Sequence, residues 1–376
     1  MSETTFKVPY TTIVSIAPHT NADRLELATV YGFQVVVPKG IYKPGDRIVY
    51  VPIDSVLSEK LEARIFPPDS KIKLHNHRVR QIRIRGLASQ GMIIHPKELE
   101  ETINLAWFSS ETDLKDAIGI TKYEPPVRGN AYTPAGGRKK RDNEHFHKYN
   151  GIDNIKWFPN FFKEGEEVVI QEKLHGTNCR AGIVPFVART WWQRIKKFLR
   201  LSPKWEFVYG SNNVEISSLS NWNGGFYGVD IYGETLHKEK IFDKIKGLKG
   251  FILYGEIIGP GIQKNYTYSF KEHAFFLFDV KLMTDRGEFF WADPGCVENF
   301  AKRYKIAMVP ILYKGPYNNA LPKIMSEGIS VLDPNTKVRE GVVIKGLLYN
   351  DERNNKRALK CINEAYLDDQ SNTDFH

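Results

Sequence analysis

The sequence predicts an α+β protein of two domains, of which the first is built mainly from short strands. A chain of 376 residues exceeds the usual size of one hydrophobic core. Strand-length patterns separated by turns fill its first third, and KPGD at residues 43–46 is a strong turn signal between two of them. Further along, residues 168–170 form an apolar run that predicts a buried strand ending close to Lys173.

The first domain is predicted to be a small β-barrel or sandwich rather than a βαβ unit, because its strands are short and regularly interrupted by turns. The predicted strands cover residues 12–16, 25–29, 34–37, 47–51, 81–85 and 92–94. From about residue 123 to residue 150 the chain is rich in proline and glycine and carries a basic cluster at 138–141, which is typical of an exposed linker. We therefore expect domains at residues 1–122 and 151–376.

Composition narrows the class of protein. The formal net charge of +9 suggests a polyanionic partner, although a modest basic excess also occurs in proteins that bind no nucleic acid. Three widely separated cysteines argue against a disulfide framework and a zinc site. No apolar run approaches the roughly 18 residues of a membrane span. We expect a soluble, cytoplasmic monomer with no membrane partner and no obligate protein partner.

Lys173 is a candidate nucleophile. A lysine flanked by apolar residues at a strand end loses hydration, which disfavours its ammonium form and makes the amine available. The following HGTN, residues 175–178, brings backbone N–H groups, a hydroxyl and an amide near this lysine, as a phosphate-handling site requires. A solvated surface lysine is the alternative interpretation.

Residues 172–178, EKLHGTN, resemble the nucleotidyl-lysine signature of the covalent nucleotidyltransferases, in the form that RNA ligases carry. Four later stretches resemble the remaining motifs in the right order: FILYGEI at 251–257, FFLFDV at 275–280, REGVVIK at 339–345 and LKCIN at 359–363. The chain thus resembles an ATP-dependent RNA ligase of this superfamily. The resemblance implies that residues 151–376 form a nucleotidyltransferase (adenylyltransferase) domain of antiparallel sheets and helices.

The first domain resembles OB-fold modules of the transfer-RNA-binding type in the stretches HTNADRLE (19–26), VVPKG (36–40), PGD (44–46) and IRGLASQGM (84–92). One group of nick-sealing RNA ligases carries such a module before its catalytic domain. The resemblance implies that residues 1–122 form an OB-fold β-barrel that binds nucleic acid. It also implies that the substrate is RNA or a nicked RNA/DNA duplex and that the activity serves RNA repair.

A basic run in this module offers candidate nucleic-acid contacts, namely Arg78, Arg80, Arg83 and Arg85. Alternation along a strand places Arg78 and Arg80 on one face, which suits a strand that follows a phosphate backbone. An edge strand kept soluble by its charges is an equally good interpretation.

The resemblance assigns a role to each matched residue of the second domain. Lys173 matches the lysine that attacks the α-phosphate of ATP, releases pyrophosphate and holds AMP as a phosphoramidate. Glu172 matches an adenine contact, and Asn178 matches a residue that orients the catalytic metal through water. Phe278 matches the ring that stacks on adenine, although Phe276 on the same strand face is an alternative. The implied cofactors are ATP and Mg²⁺ or Mn²⁺.

The remaining matches are charged. Glu256 and Glu340 match carboxylates that hold a ribose hydroxyl or the water shell of the metal, with surface ion pairs as the plainer interpretation. Lys345 and Lys360 match lysines that grip the α-phosphate and disfavour the charged form of the nucleophile by like-charge proximity.

Two positions depart from the family pattern. Ile362 stands where the closing motif usually has a second lysine, and Asn212 stands where a basic residue often follows the reactive lysine. Arg180, Lys356 or Arg357 are candidates to compensate. If none does, the alternative is a non-catalytic RNA-binding protein on a degenerate ligase scaffold. A DNA ligase or capping enzyme is a further alternative, against which the HGTN form and the position of the OB module argue.

An insertion at residues 189–200 predicts an amphipathic helix. Trp191, Ile195, Phe198 and Leu199 fall at helical spacing, while the twelve residues contain five cations and no acid. This pattern suits a helix that follows phosphates. A helix docked by its tryptophans is at least as good an interpretation, and binding to a membrane surface is a third, which the surrounding enzyme motifs disfavour.

Overall fold

The computed structural model describes residues 6–67, 70, 73–123, 142–216, 230–262, 268–336, 338–350 and 356–368. These residues form two compact units. The N-terminal unit contains the described residues up to 123, the segment Lys156–Pro159 and residues 367–368. The C-terminal unit contains the described residues of Pro126–Ile155 and Asn160–Tyr366. The basic cluster predicted at residues 138–141 lies outside the described residues.

The N-terminal unit is built from short antiparallel strands. They are β1 (Pro9–Thr12), β2 (Ser15–Pro18), β3 (Leu25–Val30), β4 (Phe33–Pro38), β5 (Arg47–Val51), β6 (Ser55–Val56), β7 (Gln81–Ile84), β8 (Leu87–Gln90), β9 (Met92–Ile94), β10 (Thr112–Asp113) and β11 (Thr121–Lys122). Helix α1 (Glu59–Ile65) and 3-10 turns at His75–His77, Pro96–Leu99 and Leu105–Trp107 connect them. The sheets are β10-β1-β5-β9, β2-β3-β4, β7-β8 and β6-β11.

Strand β5 separates two hydrophobic clusters of this unit. Ile48 and Tyr50 are buried in one cluster with residues of β3 and β4, whereas Val49 and Val51 are buried in another with Leu61 of α1. A strand that is buried on both faces reads as a continuous apolar run instead of an alternating one. The apolar run at residues 48–51 fits such a strand, and the strand predicted at residues 47–51 has the same bounds in the structure.

The strands of this unit do not close into one hydrogen-bonded barrel in the described part of the chain. Side chains join β4 to β8 instead of a backbone ladder. The Nε2 of Gln34 donates to the Ala88 carbonyl oxygen at 2.8 Å, and the Val36 N–H donates to the Ser89 hydroxyl oxygen at 3.1 Å. Polar side chains therefore connect β4 to β8 where the two strands are not paired through their backbones.

The predicted basic strand is shorter than its run of arginines. Strand β7 starts after the first two of them, and Arg85 with Gly86 forms the two-residue turn to β8, with φ values of 51° and 91°. Arg78 is 3% exposed, and its Nη2 lies 2.5 Å from Oδ1 of Asp54. The prediction that Arg78 and Arg80 share a solvent-facing strand face is therefore wrong, because the charge of Arg78 is paired inside the unit.

The C-terminal unit combines two sheets with helices. Its strands are β12 (Asp153–Asn154), β13 (Glu167–Lys173), β14 (Thr177–Pro185), β15 (Trp205–Ser211), β16 (Glu215–Ile216), β17 (Phe251–Ile258), β18 (Ala274–Met283), β19 (Phe289–Trp291), β20 (Ile311–Pro316), β21 (Gly341–Asn350) and β22 (Lys356–Ile362). Its helices are α2 (Trp191–Phe198), α3 (Ile231–Lys238), α4 (Ile241–Ile245), α5 (Pro294–Tyr304), α6 (Leu321–Ser326) and α7 (Glu364–Asp368). A 3-10 turn covers Ile155–Trp157.

The two sheets are β16-β15-β14-β17-β18-β19 and β12-β22-β21-β13-β20, and they are antiparallel except for the β12–β22 pair. Strand β17 shows how they pack. Its Ile252 and Tyr254 share a buried cluster with Tyr349 of β21, whereas its Phe251 and Leu253 face a cluster formed with helices α3, α4 and α5. The six-stranded sheet is thus covered on both faces, by the second sheet and by helices.

Helix α2 forms within the predicted insertion, but its surroundings differ from one of the interpretations offered. Trp191 and Trp192 are 64% and 66% exposed, and no residue of the helix is buried. The interpretation of this helix as one docked by its tryptophans is therefore wrong. Across the described residues, no helix is long and apolar enough to span a bilayer.

Candidate active site

A cleft of about 170 Å³ lies in the C-terminal unit where β13 ends and β14 begins. Seven predicted site residues line it: Glu172, Lys173, Asn178, Glu256, Phe278, Lys345 and Lys360. The eighth, Glu340, forms an ion pair with Lys173. Sheet register explains the gathering, since Asn178 lies directly opposite Glu256 and Lys173 lies opposite Gly341. Motifs that are far apart in the chain meet because their strands are neighbours.

Gly176 lies in the short turn between β13 and β14 and allows β17 to approach closely. A Cβ atom at this position would lie 2.3 Å from the Ile257 carbonyl oxygen and 2.9 Å from Cγ of Glu256. Any larger residue would push the turn away from the strand. The glycine of the HGTN segment therefore sets the distance between the Lys173 strand end and the Glu256 carboxyl group.

Lys173 is paired with a carboxylate in this structure. Its side chain is 29% exposed, and its Nζ donates a hydrogen bond to Oε1 of Glu340. The side chain thus keeps part of its exposure and lies beside a carboxylate.

The two carboxyl groups near Lys173 differ in their pKa. Burial raises the pKa of Glu256 to about 8, an increase that the charge of Lys173 opposes and that of Glu340 reinforces. Burial would also raise the pKa of Glu340, but the charge of Lys173 and a hydrogen bond with His175 outweigh it and lower the pKa to about 2. The surroundings therefore shift the pKa values of the two carboxyl groups in opposite directions.

Three buried polar atoms on the wall of the cleft have no hydrogen-bond partner among the described residues. They are Nε2 of Gln171, Oε1 of Glu172 and Oδ1 of Asn178. The other oxygen of Glu172, Oε2, accepts the Val331 N–H at 3.0 Å, which fixes the carboxylate. Buried polar groups are nearly always hydrogen-bonded in folded proteins. The three atoms therefore mark positions where a ligand or its bound water would complete the bonding.

Lys345 belongs to a buried polar network behind the cleft. Its Nζ donates to the Phe278 carbonyl oxygen and to Oδ1 of Asp279, both at 2.6 Å. The hydroxyls of Tyr149 and Tyr349 donate to Oδ2 of Asp279 at 2.6 and 2.8 Å. Burial lowers the pKa of Lys345, and Asp279 opposes that shift. In this state the lysine is held toward the strand that carries Phe278.

The two departures from the family pattern have local explanations. Asn212 accepts the Tyr149 N–H through its Oδ1 at 2.7 Å, so it holds the segment that supplies Tyr149 to the cleft. Ile362 is 8% exposed and lies opposite Gly341 at the end of β22. Both side chains serve the framework of the site and neither carries charge.

The three residues considered as substitutes are engaged in other contacts. Arg180 donates to the Ser211 carbonyl oxygen at 2.9 Å, Lys356 to that of Asn150 at 2.6 Å, and Arg357 lies 2.7 Å from Oε2 of Glu166. None of the three lines the cleft. Lys173, Lys345 and Lys360 are thus the cations among the described residues that line it.

Sequence reasoning missed part of the cleft lining. Tyr149 and Val309 are examples, since both line the cleft and neither lies in a recognised motif. The ring of Tyr149 packs edge to face against Phe278 at a centroid distance of 4.9 Å. No local pattern announces such a contact, because residue 149 lies in the segment that was predicted to be a linker.

The oxygen atoms of Asn178, Glu256 and Glu340 are of the type that Mg²⁺ prefers, and Mg²⁺ usually retains several waters. The buried, unpaired Oδ1 of Asn178 suits a contact to such a water. Among the described residues, no group of three or more His, Cys, Asp or Glu side chains is arranged to hold a metal ion. The donor set fits a metal that is bound partly through its water shell.

The predicted nucleic-acid contacts lie in the N-terminal unit in different environments. Arg83 and Arg85 are exposed, and Nη1 of Arg83 donates to the Gly86 carbonyl oxygen at 2.8 Å. Arg80 is partly buried, and Arg78 is buried beside Asp54. Two of the four arginines are therefore open to solvent on the β7–β8 hairpin.

The chain is similar to known proteins over nearly all of its length. A family model for RNA ligase matches residues 166–362, and one for an OB-fold domain matches residues 8–96. A lysine-to-alanine variant of Naegleria gruberi RNA ligase with ATP and Mn has a TM-score of 0.72 and 23% identity, over 96% of this chain and 98% of that chain. A lysine-to-methionine variant of the same ligase with AMP and Mn has a TM-score of 0.73 and 23% identity, over 97% of this chain and 99% of that chain. An apo variant has a TM-score of 0.71 and 25% identity, over 96% of this chain and 97% of that chain.

Lys173 at the end of β13 thus shares the cleft with Glu256 of β17 and is paired with Glu340, which directly precedes β21. The chain belongs to the RNA ligase family, whose model matches more than half of it. It carries an OB-fold domain before the ligase domain. The predictions of the α+β fold class, of the family and of a polynucleotide ligase are confirmed.

Proposed function

We propose that the protein is an ATP-dependent RNA ligase that works through a lysyl-AMP intermediate on Lys173. The observation that carries this proposal is the position of Lys173 in the cleft, with the buried, unpaired oxygen of Glu172 on one side and the carboxyl groups of Glu256 and Glu340 on the other. The ATP, AMP and Mn present in the Naegleria gruberi RNA ligase structures support ATP and Mg²⁺ or Mn²⁺ as the nucleotide and the metal here.

The proposed reaction has three steps. The neutral amine of Lys173 attacks the α-phosphorus of ATP, an N–P bond forms, pyrophosphate leaves, and the amine loses a proton. A 5′-phosphate oxygen of the polynucleotide then attacks the same phosphorus and releases the lysine. Finally a 3′-hydroxyl attacks the adenylylated 5′-phosphate, the new phosphodiester forms, and AMP leaves.

Each residue of the cleft has a proposed part in the first step. Glu172 accepts a hydrogen bond from the adenine amino group, and the ring of Phe278 stacks on the base. Lys345 and Lys360 bind the α-phosphate, which requires Lys345 to release part of its contact with Asp279. These contacts orient the α-phosphorus for attack by Lys173.

Asn178, Glu256 and Glu340 would hold Mg²⁺ or Mn²⁺, in part through water. The metal would neutralise charge that develops on the departing pyrophosphate. Positive charge near Glu340 would also weaken its pairing with Lys173, which leaves the amine free to lose its proton. The same carboxylate would thus hold both the proposed nucleophile and the metal ion.

The proposed substrate is an RNA 3′-hydroxyl end beside a 5′-phosphate end, at a nick in a duplex, as in RNA repair. We propose residues 1–122 as the nucleic-acid-binding module, residues 123–150 as a basic linker and residues 151–376 as the catalytic domain. The exposure of Arg83 and Arg85 supports the first of these assignments, because exposed cations on one hairpin suit contact with a phosphate backbone.

Incubation with ATP labelled at the α-phosphate and with Mg²⁺, followed by denaturing electrophoresis, tests this proposal. A label that survives denaturation and is lost in acid is expected, because a phosphoramidate is acid-labile. Labelled GTP serves as a control that separates a ligase from a capping enzyme. The adenylylated protein is then offered a nicked duplex with an RNA or a DNA 3′ end. Absence of a covalent label would contradict the lysyl-AMP step, and equal sealing of both 3′ ends would contradict the RNA preference.

A further inference from the structure

The surface of helix α2 and the turn after it carries large apolar side chains that the C-terminal unit leaves uncovered. We call the exposed set Trp191, Trp192, Phe198, Leu199 and Leu201 the apolar face. Their exposures are 64%, 66%, 87%, 55% and 71%. Single exposed apolar residues are common on soluble proteins, whereas a contiguous group with a polar rim marks an interaction site.

The insertion is fixed at its base. Thr190 and Gln193 form a capping box at the start of α2, in which the Gln193 N–H donates to the Thr190 hydroxyl oxygen at 3.2 Å. Arg189 lies 2.8 Å from a carboxylate oxygen of Glu206 and 2.6 Å from one of Glu215. These contacts hold the helix in one position without covering its apolar face.

The charge around the apolar face is of one sign. Residues 189–204 contain six cations and no acid. Of the six, Arg189 is paired at the base, and the other five are exposed: Arg194, Lys196, Lys197, Arg200 and Lys204. Within the described part of the chain, none of these five side chains lies in a salt bridge. An occupant of this surface must therefore offer negative charge.

The arrangement of the two kinds of side chain is that of an interfacial helix. At about 100° per residue, the apolar side chains of the helix and of Leu199 fall within an arc of roughly 120°. Arg194 and Lys196 border this arc on its two sides, and Lys197 lies behind them. Arg200 follows the helix at a left-handed residue with φ of 58°. Helices that lie in the plane of a lipid surface have tryptophan, phenylalanine and leucine on one face and lysine and arginine on the other.

We propose that the apolar face of α2 docks onto the surface of an anionic lipid bilayer. The apolar side chains enter the boundary between headgroups and acyl chains, while the five cations meet the lipid phosphates. An anionic bilayer offers apolar acyl chains beneath a layer of negatively charged phosphates, which matches the apolar face and its rim of cations. The aliphatic side chains of Leu199 and Leu201 are matched by lipid, whereas an RNA strand would offer phosphates and base faces that match only the cations and the aromatic rings.

A second copy of the chain is a poor occupant, because pairing two such faces would bring ten unpaired cations together. The position of the helix also separates it from the cleft. Strand β14 runs from Thr177 beside the cleft to Pro185 at the base of the insertion, a span of roughly 26 Å at strand geometry. Binding at one end of this strand involves no residue of the other site.

Flotation of the full-length protein with lipid vesicles tests the proposal. One set of vesicles is pure phosphatidylcholine, and the other contains about one third phosphatidylglycerol by composition, chosen for its surface potential. The protein is expected to float with the anionic set and to remain at the bottom with the neutral set. Binding should also shift the tryptophan emission to shorter wavelength, since Trp191 and Trp192 leave water.

Two double variants with matched controls identify the surface. Trp192→Ser with Phe198→Ser removes apolar area, and Trp107→Ser, at an 83% exposed tryptophan of the N-terminal unit, is its control. Lys196→Gln with Lys197→Gln removes charge, and Lys39→Gln with Lys43→Gln, two exposed lysines elsewhere, is its control. Each α2 variant should lower the partition coefficient onto anionic vesicles at least tenfold. For the charge variant this follows from a loss of about fivefold for each of its two cations. The control variants should bind as the wild type does.

All variants should retain self-adenylylation, which reports an intact C-terminal unit. Failure of the wild type to float with anionic vesicles overturns the proposal, and so does an equal loss of flotation in a control variant. If vesicles do not bind but the Lys196→Gln/Lys197→Gln variant loses RNA affinity and flattens its salt dependence, the helix is an RNA contact and the lipid proposal is wrong.

Discussion

Glu340 holds the ammonium group of Lys173 although the two residues lie 167 positions apart in the chain. The contact follows from the antiparallel pairing of β13 with β21, which sets Lys173 opposite Gly341 and leaves Glu340 one residue before the strand. The side chain of Glu340 is buried, whereas that of Lys173 remains partly exposed. The proposed nucleophile is therefore held in an ion pair whose carboxylate also belongs to the proposed metal site.

Replacement of Lys173 by alanine should abolish the covalent AMP adduct and leave the fold intact, because the amine is the proposed nucleophile and its side chain is partly exposed. The measurement is labelling with α-phosphate-labelled ATP, alongside a denaturation curve. Lys163→Ala, at an exposed lysine outside the cleft, is the control. Wild-type labelling of the Lys173→Ala variant would remove this residue from the chemistry.

The pH dependence of stability should reveal Glu256. Its pKa is about 8 in the folded protein and about 4.5 when unfolded, so the folded state binds the proton more tightly between these values and loses stability as pH rises through them. Glu256→Gln cannot ionise, so its free energy of unfolding should exceed that of the wild type at pH 8.5, by on the order of 3 kcal/mol, and approach it at pH 5. Urea denaturation in a metal chelator measures both.

Glu288→Gln, at an exposed carboxylate, serves as the control for that experiment and should follow the wild type at every pH. A parallel pH dependence in the wild type and in Glu256→Gln would mean that Glu256 titrates normally. Glu340 acts in the opposite direction. Its pKa of about 2 gives a contribution that is present above about pH 4.5 and is lost as pH falls toward 2, so it does not obscure the alkaline window.

The grouping of the cleft residues was implied by the resemblance of their motifs to those of the ligase family, whereas local patterns predicted the strands that carry them. Strands β13 and β17 carry continuous apolar runs, and the charged residues Lys173 and Glu256 interrupt them near their ends. What local patterns do not contain is the partner of each charge. The pairing of Lys173 with Glu340, and that of Arg78 with Asp54, depends on contacts between distant segments.

Glu172→Gln should reverse the preference of the cleft between ATP and inosine triphosphate. In the wild type, Oε2 accepts the Val331 N–H, and the free Oε1 is suited to the adenine amino group. In the variant, the amide oxygen retains the Val331 contact and the amide nitrogen faces the base. This N–H donor cannot pair with the amino group of adenine. It can donate to the carbonyl oxygen that inosine carries at the same position. The ratio of KM values for self-adenylylation should change by about 10- to 100-fold, as for one charge-assisted hydrogen bond.

The comparison is made at saturating metal, with both nucleotides measured on both proteins. Gln171→Glu, at a residue that also lines the cleft but has a donor among its unpaired atoms, is the matched control. It should not invert the preference between the two bases. If Glu172→Gln discriminates against inosine triphosphate as strongly as the wild type does, Glu172 does not contact the adenine.

Lys345 and Asp279 should behave as a coupled pair in stability measurements. Both are 1% exposed, and their atoms lie 2.6 Å apart. Asp279→Asn leaves a buried ammonium without its counter-charge and should cost about 3–5 kcal/mol of unfolding free energy. The double variant Asp279→Asn/Lys345→Met should lose less than the sum of the two single variants, which a double-mutant cycle in urea measures. Additive losses would show that the pair is not coupled.

The surroundings of helix α2 illustrate a second limit of sequence reasoning. The spacing of its apolar and basic residues predicted an amphipathic helix, and α2 has that form. Amphipathicity alone does not say whether the apolar side faces the protein or the solvent. Only the structure shows that Trp191 and Phe198 are uncovered.

Three arginines of the basic run should separate into two groups when they are replaced by glutamine, Arg83 with Arg85 in one and Arg78 in the other. Arg83→Gln with Arg85→Gln removes exposed charges and should weaken binding to a nicked duplex, reduce sealing, and leave AMP adduct formation unchanged. The log–log salt dependence of binding should flatten by about 0.7 to 0.9 for every phosphate that the variant no longer neutralises. Arg78→Gln should instead destabilise the N-terminal unit, because Asp54 loses its buried partner. Binding and sealing across a salt series, with adduct formation measured in parallel, distinguish these effects. An unchanged salt slope in the Arg83/Arg85 variant would place the nucleic-acid contact elsewhere on the chain.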